Sequence, residues 1–230
     1  MGKILWLQTA DGAEKDKRGA GPPDGGVRHA IWVAPDREAR RRYAAQVLAC
    51  PEVWSPPAAK GEWKRGVRAF TLWQDRQRTA KLADVVTRAA GPNGQAVYEV
   101  LGAAGEPLAR VTRVPASALR RARWTVETAD GRSATGRKGN PFWWTVWWLI
   151  SPIQLLLLLA ALLGGDVARP PRRTKWRTAE GVVLDWASGG RDFELTEVAG
   201  EWDPRVTAAL IALLLSHEGW LGDNWARPRG

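Results

Sequence analysis

Short stretches of alternating apolar and polar residues recur along this chain, and one long uncharged run interrupts them. The alternation predicts strands over 3–8, over 29–33 ahead of Pro35, and over 67–73. Asp36 then suits a helix N-cap, with Glu38 and Arg42 at i, i+4, and predicts a helix over 37–49. Residues 77–90 fit both periods: Leu82, Val85, Val86 and Ala89 make one helical face, yet 82–87 also reads as a strand. Gly91-Pro92-Asn93-Gly94 breaks the pattern. It divides a region of short elements, 1–90, with a polar connector at 11–26, from a β-rich region, 91–230.

Beyond that break, 97–101 and 107–114 read as paired strands around a glycine turn, and 122–128 leads into Asp130-Gly131, a hairpin turn. Three more strands are predicted over 174–178, 182–186 and 192–198. Trp202-Asp203-Pro204 supplies an N-cap aspartate and a proline at the first helical position, predicting a helix over 204–218. Residues 206–215 carry no charge on any face, and the stretch is too short to span a bilayer, so it calls for burial all round. The predicted fold class is α+β, mainly β: a partial β-barrel or curved antiparallel sheet around an apolar C-terminal helix.

The uncharged run, 141–165, lies between predicted strands. Phe142, Trp143, Trp144, Trp147, Trp148, Leu149 and Ile150 form its first half, and Leu155, Leu156, Leu157, Leu158 and Leu159 its second. As a helix, 142–163 extends about 33 Å, the depth of a bilayer's hydrocarbon core. Indoles at one end suit the headgroup boundary. Ser151-Pro152 near the middle allows a kink or a reversal, so the segment is predicted to be an inserted hydrophobic hairpin or a transmembrane helix. Arg137 and Lys138 precede it, and Arg169, Arg172, Arg173 and Lys175 follow, all placed to touch anionic headgroups. If strands on both sides share one domain, they share one compartment, which a single crossing forbids.

The balance of 34 basic against 24 acidic residues, +10 overall, fits an anionic partner. Arginine beside abundant alanine, glycine and proline is also what a GC-rich genome encodes. The single cysteine, Cys50, excludes an internal disulfide and reads as a small buried hydrophobe. The apolar stretch after Lys3 is too short for a secretory signal, which puts the bulk of the chain on the cytoplasmic side of the plasma membrane.

Candidate chemistry is sparse. His29 and His217 lack metal-ligand spacing, and His217 is expected to meet the helix dipole. Residues 131–138 carry phosphate-loop glycines but lack its lysine and hydroxyl at the required places. The serines have no nucleophile-elbow context. The residues call for no cofactor, metal or catalytic group.

The strand pair around a glycine turn (Val97, Tyr98, Val100, Gly102, Gly105), the later hairpins, and Asp203-Pro204 leading into apolar 208–215 resemble the tubby-like superfamily. That group includes phospholipid scramblases and LURP-one-related proteins. The resemblance covers 95–217, apart from the insertion, and implies a β-barrel wrapped around a hydrophobic C-terminal helix. The family barrel has more strands than the segments after Gly94 supply, so the N-terminal segments would have to complete it. Leu101-Gly102 stands where an acidic residue is common, and the acylated cysteine cluster and calcium site have no counterpart. What the resemblance implies is a lipid-facing or protein-binding scaffold; it does not imply scramblase activity.

The expected function is therefore a non-enzymatic, membrane-associated scaffold or lipid-interacting protein, with the bilayer and its anionic headgroups as partners. The alternatives are a single-pass protein with a cytoplasmic regulatory or binding domain, and a basic, tryptophan-rich nucleic-acid binder.

Overall fold

The computed structural model describes residues 2–9, 27–42, 44–53, 60–117, 120–138, 173–189, 192–217 and 225. The strands are β1 (Ile4–Thr9), β2 (His29–Ala34), β3 (Gln46–Val53), β4 (Ala69–Trp73), β5 (Lys81–Ala90) and β6 (Ala96–Gly102). They continue with β7 (Pro107–Val114), β8 (Arg123–Thr128), β9 (Ser133–Lys138), β10 (Arg173–Thr178), β11 (Gly181–Gly189) and β12 (Asp192–Glu197). Each strand pairs antiparallel with its sequence neighbour, and β1 closes the circle against β12 through Leu5↔Leu195, giving a closed twelve-strand barrel. Closure removes every sheet edge, which is why a barrel is stable where an open sheet would invite pairing with other chains.

Strict alternation makes the wall. In β6, Ala96, Tyr98 and Val100 are buried while Val97, Glu99 and Leu101 are partly exposed. Trp124 and Val126, then Trp176, then Leu184 and Trp186 continue the inner layer on β8, β10 and β11. Gly136 lies directly opposite both Trp124 and Trp176, so the one position without a side chain makes room for two indoles.

The barrel is filled by α3 (Pro204–His217). Val206 to Leu214 are all buried, because strands surround the helix on every side. Each large aliphatic side chain there contributes about 1.5–3 kcal/mol of burial energy. The two buried hydroxyls are satisfied within the helix: Thr207 Oγ1 donates to the Pro204 carbonyl at 3.2 Å and Ser216 Oγ to that of Leu213 at 2.7 Å. Asp203 caps the N-terminus as expected, its carboxylate accepting from the Arg205 amide at 2.8 Å. The helix follows the prediction over 204–217, and residue 218 lies outside the described residues.

The structure departs from expectation in some elements and resolves what the sequence left open in others. The helix over 37–49 is only α1 (Arg37–Arg41), capped by Asp36, whose Oδ1 accepts from the Ala39 amide at 2.7 Å. Residues 46–53 are strand instead, because ladders with β2 and β4 outweigh weak helical propensity. Residues 77–90 resolve as a turn followed by β5, and 133–138, scanned above as a failed phosphate loop, form β9. Residues 91–95, where the sequence suggested a boundary, connect β5 to β6 as a hairpin, with Gly94 at φ +74°. A further helix, α2 (Lys60–Arg65), precedes β4.

Antiparallel order sorts the connections between two rims. The tight rim carries 35–45, 74–80, 103–106, 129–132 and 179–180 and receives the N-terminus of α3. The opposite rim carries the 91–95 turn, the end of β9 and the start of β10, and receives the C-terminus of α3. Lys138 pairs with Thr174, so the chain leaves β9 and re-enters β10 side by side at this second rim. The predicted insertion, 141–165, falls outside the described residues, among which no helix is long and apolar enough to cross a membrane.

Candidate functional site

At the second rim the C-terminus of α3 meets a buried polar cluster. Arg68, just before β4, is 4% exposed and has no carboxylate partner among the described residues. Its guanidinium spreads over neutral acceptors: Nε donates to Ser216 Oγ at 3.2 Å and Nη2 to the Ser216 carbonyl at 3.1 Å. Nη1 donates to the carbonyls of Val67 and Trp63 at 2.7 and 3.1 Å. The Trp63 ring centroid lies 3.4 Å from Cζ. Only a planar, forked cation reaches all of these at once. Burial lowers the Arg68 pKa to about 10; the nearby Tyr98 hydroxyl opposes that shift and Arg113 adds to it.

The protons of the adjoining groups can be assigned from the network. Tyr98 Oη lies 2.6 Å from the Gly66 carbonyl and spends its one proton there. His217 Nε2, 2.8 Å from the same oxygen, is therefore the donor and carries the ring proton. Nδ1 is left as an acceptor, 3.4 Å from Arg68 Nη2. Burial, then the positive charges of Arg68, Arg113 and Lys138, hold the imidazole pKa well below its usual range. The expectation that His217 itself serves the helix dipole is corrected: the ring is held neutral, and the cation at the helix terminus is Arg68, on the Ser216 carbonyl.

Of the predicted headgroup contacts, Arg137 and Lys138 end β9, and Arg173 and Lys175 begin β10. Arg137 stands directly opposite Lys175, and on its other side opposite Arg123 of β8. Arg173 is engaged by Asp185, with Nε 2.9 and 3.1 Å from the two carboxylate oxygens. Arg169, Arg172 and the predicted bilayer contacts from Phe142 to Leu159 lie outside the described residues.

Sequence reasoning passed over Arg68 and Arg123, and took Tyr98 only as part of a strand pair. No local pattern marks them, since the closure of the barrel alone brings them to one rim. Among the described residues no group of histidines, cysteines and carboxylates could hold a metal ion.

Comparison with protein-family models, with curated proteins and with solved structures finds no match.

Proposed function

We propose that this protein is a membrane-associated, non-enzymatic, lipid-interacting scaffold of the tubby-like type, held at the cytoplasmic face of the plasma membrane by segment 141–165. The observation that carries the reading is the pairing of Lys138 with Thr174. A segment whose two roots are neighbouring antiparallel strands of one closed barrel starts and finishes on the same side of a bilayer. An even number of passes, or a re-entrant hairpin, is what this geometry supports over the single-span alternative. The length and lack of charge of 141–165 supply the affinity for lipid, and a proline-centred reversal fits the Ser151-Pro152 position.

Two further observations favour a scaffold of this kind. The barrel interior is packed with α3, as in the tubby-like architecture, which leaves function to the rims and outer wall. Of the nine described tryptophans five are buried and four half-buried, so the described surface offers little indole for stacking bases, which weighs against the nucleic-acid alternative.

Epitope tags in the Asp130-Gly131 and Glu180-Gly181 turns test the topology. Both turns lie on the tight rim, one on each side of the insertion. Equal protease accessibility of the two tags in sealed vesicles, together with retention on membranes in high salt, is the expected result. Opposite accessibility would establish a single span, and release by salt alone would refute anchoring by apolar burial.

A further inference from the structure

The outer wall of the barrel handles charge in two ways. Across β6, β7 and β8 the register sets Glu99 opposite Arg110 and Arg110 opposite Glu127, an alternation in which each charge faces its complement. Arg88 adds an ion pair to Glu99. Four residues back along β8, across β8, β9 and β10, the same rule fails. Arg123 faces Arg137, and Arg137 faces Lys175.

Like charges directly opposed across strands are destabilising. Asp185 is the one acid opposite this row, and Arg173 occupies its carboxylate. No carboxylate pairs with Arg123, Arg137 or Lys175 among the described residues. Arg123 and Arg137 are exposed and Lys175 is half-buried. Arg120 and Arg121, both exposed, extend the positive region from the loop before β8. An electrostatic cost maintained at one place on a wall that elsewhere avoids it is the mark of a surface completed by something anionic.

The geometry points to the row Arg123–Arg137–Lys175 as a docking face for the phosphate-bearing anionic headgroups of a bilayer, so that the β8–β10 side of the barrel leans on the membrane. This rests on the membrane reading above, and names the wall and the lipid class that it uses. A bilayer suits the row because β9 and β10, which hold two of its members, are also the strands from which 139–172 departs and to which it returns. A charged row beside those roots meets headgroups at the depth where an embedded segment would hold it. Arg123 joins the set through register alone.

The test is co-flotation of the full chain with vesicles of phosphatidylcholine alone or of phosphatidylcholine with phosphatidylserine. Wild type is expected to partition at least about tenfold more strongly onto the anionic vesicles. The triple variant R123Q/R137Q/K175Q should lose that preference, while R123K/R137K, which keeps the charge, and R110Q, from the alternating row, should retain it. Arg137→Gln, central in the row, should cut the preference severalfold and raise Tm, because it removes both like-charge oppositions; this variant reads the proposal even if the triple variant misfolds. Undiminished preference in the triple variant overturns the inference. So does tighter binding of wild type to single-stranded RNA than to anionic vesicles, with loss in the triple variant. Binding to neutral vesicles reads the anchor separately: its absence, with anionic preference intact, refutes the anchor and leaves the docking face standing.

Discussion

Tyr98 Oη and His217 Nε2 lie 2.8 Å apart inside the barrel mouth, joining β6 to the last residue of the central helix. The contact fixes how far α3 is inserted, because the same hydroxyl is tied to the Gly66 carbonyl on the wall. Tyr98→Phe keeps the ring in place and removes only the oxygen. It leaves the Gly66 carbonyl and the His217 N–H without that partner, and is expected to cost about 1–3 kcal/mol, measured by urea denaturation. No loss would mean that the hydroxyl is dispensable to the seating of the helix.

His217 makes stability depend on pH. Its folded-state pKa lies well below the usual 6.5, so over that interval the unfolded chain binds a proton that the native state refuses. Stability is therefore complete above about pH 6.5 and falls as pH drops through 6.5 toward the folded value. Arg68, Arg113 and Lys138 oppose protonation of the ring, and Nδ1, where a second proton would go, faces the donor Arg68 Nη2 at 3.4 Å. Unfolding free energies at pH 7.5 and 5.5 should differ in wild type, with a smaller difference in His217→Asn.

Arg68 offers a test of geometry against charge. Lysine preserves the charge but cannot span the Ser216, Val67 and Trp63 carbonyls together. Arg68→Lys should lower Tm by several degrees, close to the effect of Arg68→Met. Full stability in the lysine variant would show that the positive charge alone secures the helix terminus.

Gly136 is a packing site. A β-carbon there would lie 2.7 Å from the indole of Trp176, which is itself fully buried between the wall and α3. Gly136→Ala is expected to cost about 1–3 kcal/mol by overpacking. Trp176→Phe in the same chain should recover part of that loss, since the smaller ring frees the space.

Cys50 is fully buried, and burial, with Asp75 nearby, pushes its thiol pKa up to about 11. The reactive thiolate is scarce at neutral pH and shielded besides. Ellman's reagent should label it slowly in the native protein and promptly in denaturant. Fast native labelling would contradict the packing of β3 against the chain around Val27.

Much of this architecture was readable from the residues. Asp203-Pro204 and the uncharged 206–215 specified a helix buried on all sides, and period-two alternation located most of the wall. What escaped was decided by partners distant in sequence. Gln46–Ala49 reads as the end of a helix locally and becomes strand because two neighbours offer ladders. Ser133–Lys138 alternates small and charged residues, and only Trp124 and Trp176 on either side explain why Gly136 belongs in a strand. The rim cluster was legible least of all: Arg68 and Ser216 come together only when the barrel closes around its helix.

The seam between Ile4–Thr9 and Asp192–Glu197 has a consequence for biosynthesis. A ribosome delivers the first strand early and its second neighbour almost last, so the growing sheet keeps two raw edges through most of translation. The apolar helix destined for the centre emerges later still. A chain cut before Asp192 lacks the strand that closes the circle, and is expected to aggregate rather than to fold as a smaller unit.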